Sequence, residues 1–380
     1  MEPLERASAI IKSAAQSVRL RVTLMMFLHG FSGWRWARSG RRVVLAVVSA
    51  ALTLAAVEGV LQLAVITGIP ARLADPEAYA HPLCDAWYWR AHARQQPPTE
   101  GNARHDTLGW IPVGDDRVDD GVGYPEPRTG GSPLVLVGDS FLAGTTERED
   151  RIGSVLQAGL VARGIHAQVE DHAVGGYGLD QILLRLQARA ASLEPGTPVV
   201  IGILTTDLDR TILWEREAPK PRFVLDSRGD LVLKTNHLAG PMPSAAPRLL
   251  TWARLMQYRA GRVAAAAGLP HAECRAEEKQ ALAKALLESI TTTCTQSGLR
   301  CLVVPFLRAD DLERLPSWRE NLIESETSAL PRLALRSILS DLEAPLFGPD
   351  RHPSTHQNRR VADAILAWLE GPARAAEAQP

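Results

Sequence analysis

The sequence predicts an α/β domain whose parallel sheet is covered by helices on both faces, preceded by one membrane-spanning helix. Three observations carry that expectation. Short continuous apolar runs, PLVLV from Pro133, PVVIGIL from Pro198 and CLVVPFL from Cys301, alternate with stretches of helical periodicity, the pattern of strands buried on both sides. One much longer apolar run, Val43 to Thr67, stands ahead of them. Basic residues crowd in front of that long run, whereas the rest of the chain is net acidic.

Residues 1–42 form the basic segment, with Arg6, Lys12, Arg19, Arg21, Arg35, Arg38, Arg41 and Arg42 against only Glu2 and Glu5. Within it Leu24 to Phe31 is an apolar patch too short to span and rich in Met and Phe, suited to a membrane interface. Residues 43–67 contain one acid, Glu58, and no base, and at 1.5 Å per helical residue they cross a hydrocarbon core of roughly 30 Å. The Arg-rich flank then stays cytoplasmic, which sends everything beyond Gly68 to the other side of the membrane. The preceding segment is too long for the n-region of a signal peptide. Ala78-Tyr79-Ala80 also lies too far beyond the apolar run to be its cleavage site, so the helix is retained as an anchor.

Residues 68–131 hold Pro, Gly and Asp clusters with no sustained period, an irregular lead-in. The α/β domain follows at 132–372. Its strands are PLVLV, the AQVED stretch inside HAQVEDHA, PVVIGIL and CLVVPFL; its helices run over Arg151 to Arg163, Gln181 to Leu193, Ala276 to about Thr293 and Thr355 to Glu370. An insertion at about 209–247 contains RFVLDSRGDLVLKT, two alternating runs about a Ser-Arg-Gly turn, which signals a hairpin. Residues 373–380 are a flexible tail.

With 42 Lys+Arg against 43 Asp+Glu, the chain lacks the basic footprint of a nucleic-acid binder. Ordinary proportions of apolar (46%) and charged (22%) residues exclude disorder and a polytopic membrane protein. Cys84, Cys274, Cys294 and Cys301 form no metal-ligand spacing, and export would permit Cys294 and Cys301 to pair.

In open parallel sheets ligands bind beyond the carboxyl ends of the strands, so the residues there carry the chemistry. After the first strand comes Gly138-Asp139-Ser140-Phe141, after the second Ala173-Val174-Gly175-Gly176-Tyr177-Gly178, and after the third Thr205-Thr206-Asp207. Asp350-Arg351-His352-Pro353 precedes the last helix. These four blocks, in this order and over residues 106–370, resemble the SGNH (GDSL-type) hydrolase superfamily, in particular its membrane-anchored bacterial branch. The LGW, GYGLDQ and KPRFVLD stretches add to the likeness.

The resemblance implies a three-layer α/β/α, flavodoxin-like domain and a serine esterase. Ser140 would be the nucleophile, His352 the base that takes its proton, and Asp350 the acid that orients the imidazole. The oxyanion hole would combine the backbone N–H groups of Ser140 and Gly176 with the side chain of Thr206. Two departures stand out: Thr206 occupies the place of the family's usual Asn, and the acid–base spacing is Asp350-x-His352 instead of Asp-x-x-His. Tyr177, Gln181, His105 and His172 are read as packing or structural residues. No metal or organic cofactor is implied. The expected activity is removal of O-acyl groups, chiefly acetyl, from an envelope or exported carbohydrate or another small ester. An acyltransferase using the same triad and a catalytically weak envelope scaffold are the alternatives.

Overall fold

The computed structural model describes residues 38–67, 102–112, 132–216, 218–235, 276–312, 314–340 and 345–377, with isolated residues at 69, 75, 88, 89, 92, 256 and 259. The Leu24 to Phe31 patch, most of the basic segment and lead-in, Cys84, Cys274 and the end of the tail lie outside the described residues.

Helix α1, Arg38–Thr67, covers the long apolar run. Its segment Arg42–Val65, at a mean hydropathy of 2.2, is long and apolar enough to cross a membrane. The side chains of Val43, Leu45, Val47, Val60 and Leu63 are exposed, unlike those of a core helix.

The domain follows the order expected from its strand and helix periods. Beyond a hairpin of β1 (Asn102–His105) and β2 (Gly109–Pro112) come β3 (Ser132–Val137), α2 (Ser140–Ala143), α3 (Ile152–Ala162), β4 (Ala167–Asp171), α4 (Leu179–Ala190), β5 (Pro198–Leu204) and α5 (Asp207–Arg210). A second hairpin, β6 (Arg222–Leu225) with β7 (Leu231–Lys234), precedes α6 (Ala276–Gln296), β8 (Arg300–Phe306), α7 (Ala309–Leu312), α8 (Trp318–Glu326), α9 (Leu335–Leu339) and α10 (Thr355–Glu377). The helical structure of α10 continues to Glu377, into the stretch expected to be a flexible tail.

Four strands form one parallel sheet in the order β4-β3-β5-β8. Because strand side chains alternate, the sheet feeds two cores. Val135, Val137, Val199, Ile201 and Val303 pack with Ile182 and Leu186 of α4 and Leu286 and Ile290 of α6. Leu134, Leu136, Val200, Leu302 and Val304 pack with Leu156 and Leu160 of α3 and Val361 and Ile365 of α10. Each such aliphatic side chain, fully withdrawn from water, contributes about 1.5–3 kcal/mol. The result is three layers, helix on sheet on helix. The chain leaves β3 toward β4 on one side and β5 toward β8 on the other. The carboxyl ends of these adjacent strands therefore flank the switch point where such sheets bind ligands.

Residues 102–112, read as irregular lead-in, instead form the β1–β2 hairpin and seat a fully buried Trp110 in the first core. The hairpin is joined to the loop after β4: the Tyr177 hydroxyl donates to the Trp110 carbonyl at 2.7 Å, and Gln181 Nε2 to the Leu108 carbonyl at 2.8 Å. Burial pushes the Tyr177 phenol up to about 12, which keeps it a neutral donor. In the insertion, the β6–β7 turn follows the DSRGD signal. Asp226 Oδ1 accepts the N–H groups of Arg228 and Asp230, and Gly229 takes the left-handed backbone. Cys294 at the end of α6 and Cys301 in β8 form a disulfide, with Cα atoms 6.1 Å apart.

Candidate active site

Strand β3 delivers Ser140 to the carboxyl edge of the sheet. Gly138 has no room for a side chain, since an added Cβ would lie 2.9 Å from the Gly202 carbonyl oxygen and 3.1 Å from Leu142 Cβ. Asp139 is wholly buried and caps α2, its Oδ1 accepting the Phe141 N–H at 2.9 Å. Ser140 is thereby the first helical residue, with its hydroxyl facing a histidine from the other end of the chain: His352 Nε2 lies 3.0 Å from Ser140 Oγ.

His352 and Asp350 share a tight turn before α10. The Gly348 N–H donates to the His352 carbonyl (2.8 Å), the Arg351 N–H to the Gly348 carbonyl (3.0 Å), and the His352 N–H to Asp350 Oδ1 (3.1 Å). Arg351 between them has φ 64°, the one non-glycine residue with positive φ among the described residues. The two-residue spacing thus closes through a left-handed residue, with the Asp350 carboxylate anchored on the main chain of His352. Asp350 Oδ2 approaches His352 Nδ1 to 3.1 Å, close but outside hydrogen-bond alignment. The Thr145 hydroxyl donates to the same oxygen at 2.7 Å. Burial opposes ionisation of Asp350, but Thr145, the His352 N–H and the imidazole outweigh it and hold the carboxyl below its usual range.

The second and third blocks sit where the sheet predicts. Past the end of β4 the ladder continues, His172 N–H to the Leu136 carbonyl (2.7 Å) and Val174 N–H to the Gly138 carbonyl (3.0 Å), which brings the glycine turn beside Ser140. A Cβ added at Gly175 would be 3.8 Å from that of Ser140, and Gly176 has φ 86°, a conformation that favours glycine. Thr206 follows β5, is nearly buried, and its hydroxyl makes no hydrogen bond among the described residues. Asp207 beside it is fully buried, and its Oδ2 accepts the Leu204 N–H at 2.9 Å.

The remaining histidines of interest are structural. His105 Nδ1 accepts the N–H groups of Thr107 and Leu108 in the β1–β2 turn, and buried His172 faces Glu170 at 3.6 Å. Three contributors escaped the sequence reading. Thr145 braces the acid, Arg210 binds the carboxylates of Asp139 and Asp207, and the segment from Thr146 to Asp150 ties the serine loop to α10. In that tie Asn358 Nδ2 donates to Thr146 Oγ1 and to the Asp150 carbonyl, and Arg359 pairs with the Asp150 carboxylate. Among the described residues no group of three or more His, Cys, Asp or Glu is placed to hold a metal ion.

No protein-family model and no curated protein matches the chain. Solved structures similar to it include the psychrotrophic esterase EstA from Pseudoalteromonas sp., at 12% identity over 63% of this chain and 99% of that one, with a TM-score of 0.36. AlinE4, an SGNH-hydrolase family esterase, is 14% identical over 66% of this chain and 98% of that one, TM-score 0.33. A lipase/acylhydrolase from Enterococcus faecalis is 13% identical over 63% and 96%, TM-score 0.37. The chemistry open to this chain rests on its own geometry: a serine hydroxyl within reach of an imidazole backed by a carboxylate, at the switch point of a parallel sheet.

Proposed function

We propose that the chain is a serine ester hydrolase of the SGNH type, held at the membrane by α1 and acting on O-acyl groups of an envelope or exported carbohydrate. The 3.0 Å approach of His352 Nε2 to Ser140 Oγ carries this reading. A serine hydroxyl is too weak an acid to attack an ester unaided, and the neutral imidazole nitrogen is positioned to take its proton as the new C–O bond forms. The imidazolium that results faces Asp350, whose depressed pKa keeps it anionic near neutrality. His352 then returns the proton to the departing alkoxide, and water attacks the acyl-enzyme by the same route in reverse.

The N–H groups of Ser140 and Gly176 and the hydroxyl of Thr206 are assigned to the oxyanion. A single donor of this kind is worth about 10²–10³ in kcat where it has been removed in a hydrolase. The preference for acetyl groups on carbohydrate follows from the sequence resemblance together with an exported position. That position is supported by the Arg cluster preceding α1 and by the Cys294–Cys301 disulfide, a bond that persists in oxidising compartments.

Turnover of a chromogenic acetyl ester by the full chain in detergent tests the reading, followed by acetate release from an O-acetylated polysaccharide. Ser140→Ala and His352→Ala are each expected to lower kcat at least about 10³-fold. Ester turnover that survives Ser140→Ala contradicts the assignment.

A further inference from the structure

Arg210 occupies the point at which the three strand-end loops meet. Its Nη1 alone lies 3.2 Å from Asp139 Oδ2, 2.8 Å from the Tyr177 carbonyl oxygen and 2.5 Å from Asp207 Oδ1. Each of those residues is the chain neighbour of one group assigned to the oxyanion hole: Asp139 precedes Ser140, Tyr177 follows Gly176, and Asp207 follows Thr206. An Nη nitrogen carries two hydrogens, so three acceptors share two protons and the position of any one acceptor constrains the others.

Both carboxylates pass the constraint to the backbone. Asp139 spends its second oxygen on the Phe141 N–H at the start of α2, and Asp207 spends its own on the Leu204 N–H at the end of β5. Neither side chain is free to follow a displaced guanidinium without moving the main chain that carries Ser140 or Thr206. The guanidinium itself is confined: Arg210 is 7% exposed, and Gly178 leaves the space beside it, since a Cβ there would stand 3.0 Å from Arg210 Cβ. Burial, reinforced by the nearby charge of Asp139, pushes the Asp207 carboxyl well up, while Arg210 opposes the rise. One guanidinium is thus the main countercharge for two buried acids.

We infer that Arg210 is a positioning residue that sets the loops bearing Ser140, Gly176 and Thr206 against one another, so that the oxyanion hole is formed before substrate arrives. This rests on the esterase reading above. A purely structural Arg210 would neutralise the two acids and alter stability alone. A positioning Arg210 acts on the transition state, because donors displaced by about 1 Å from the developing oxyanion can cost on the order of 10² in rate.

The experiment uses the full chain in detergent and measures kcat and KM for a small acetyl ester, affinity for an alkyl boronic acid that forms a tetrahedral adduct with an active serine, and Tm. Arg210→Met is expected to lower kcat by about 100-fold with KM within about threefold, boronate affinity falling in step with kcat. Arg210→Lys keeps the charge and some donor capacity and should recover part of the loss. If the methionine variant does not fold, Asp207→Asn decides. It is isosteric, it turns an amide N–H₂ toward the guanidinium, and about a tenfold lower kcat at unchanged KM is expected. A folded Arg210→Met or Asp207→Asn with wild-type kcat and boronate affinity overturns the inference while leaving the esterase reading intact. Wild-type protein that neither hydrolyses the ester nor binds the boronate contradicts the esterase reading instead.

Discussion

Asp350 Oδ2 accepts the Thr145 hydroxyl at 2.7 Å and lies 3.1 Å from His352 Nδ1, and its side chain is half exposed. An exposed acid on a turn needs a second fastening to hold an imidazole, and Thr145 supplies it. Thr145→Val keeps the volume and removes the donor, so kcat should fall by about tenfold while Thr145→Ser stays near wild type; steady-state kinetics on a small ester distinguishes the two. The same substitution has a pH consequence. Asp350 has a folded pKa below the usual value of 3.8, so its contribution to stability is present above that value and is lost as pH falls through the folded one. Thr145→Val should move that loss to higher pH, seen by carbon NMR as the Asp350 carboxyl titrating at a higher pH than in wild type, nearer 3.8. The blocks that bring Ser140, His352 and Asp350 together were legible because they stand at strand ends or before a helix. Thr145 was not, since its partner is 205 residues away and a Thr-Thr pair after a short helix carries no period or motif.

Among the elements, the sheet was readable and the small pieces packed on it were not. PVVIGIL and CLVVPFL are continuous apolar runs because both of their faces are covered, and they became β5 and β8 within one residue of the expected bounds. NARH and GWIP are four-residue strands in which only Trp110 and Ile111 are large and apolar, so β1–β2 shows no alternation. That hairpin is held by tertiary contacts, including a close pass at Gly109, where an added Cβ would fall 2.2 Å from the Pro219 carbonyl oxygen. Just beyond Pro219, Lys220 is ion-paired with Asp180 at the start of α4, both wholly buried. Burial pushes the lysine down and the aspartate up, each against the pull of its partner. Lys220→Met should therefore cost about 3–5 kcal/mol by stranding Asp180, whereas the double change Asp180→Asn with Lys220→Met should recover most of it; thermal or denaturant unfolding of the three variants reads the difference.

At the scale of the whole chain, the exported position proposed from the basic segment, α1 and the disulfide is open to a direct test. A reporter active only in an oxidising, extracytoplasmic space, fused after Pro380, should be active, and Cys294 and Cys301 of the same protein should resist alkylation until reduced. A silent reporter at full expression would reverse the orientation. Hydropathy made a helix long and apolar enough to cross a membrane legible, and strand order made the place of the candidate site legible; which groups brace it depended on pairings that no local pattern records. The claim on which everything else rests is that Ser140 is an activated nucleophile, and labelling of the full chain with a fluorophosphonate, located by peptide mass mapping, tests it most directly. The expected result is one phosphonyl group on Ser140, formed slowly or not at all in His352→Ala. A label on another residue, or undiminished labelling in Ser140→Ala, would contradict it.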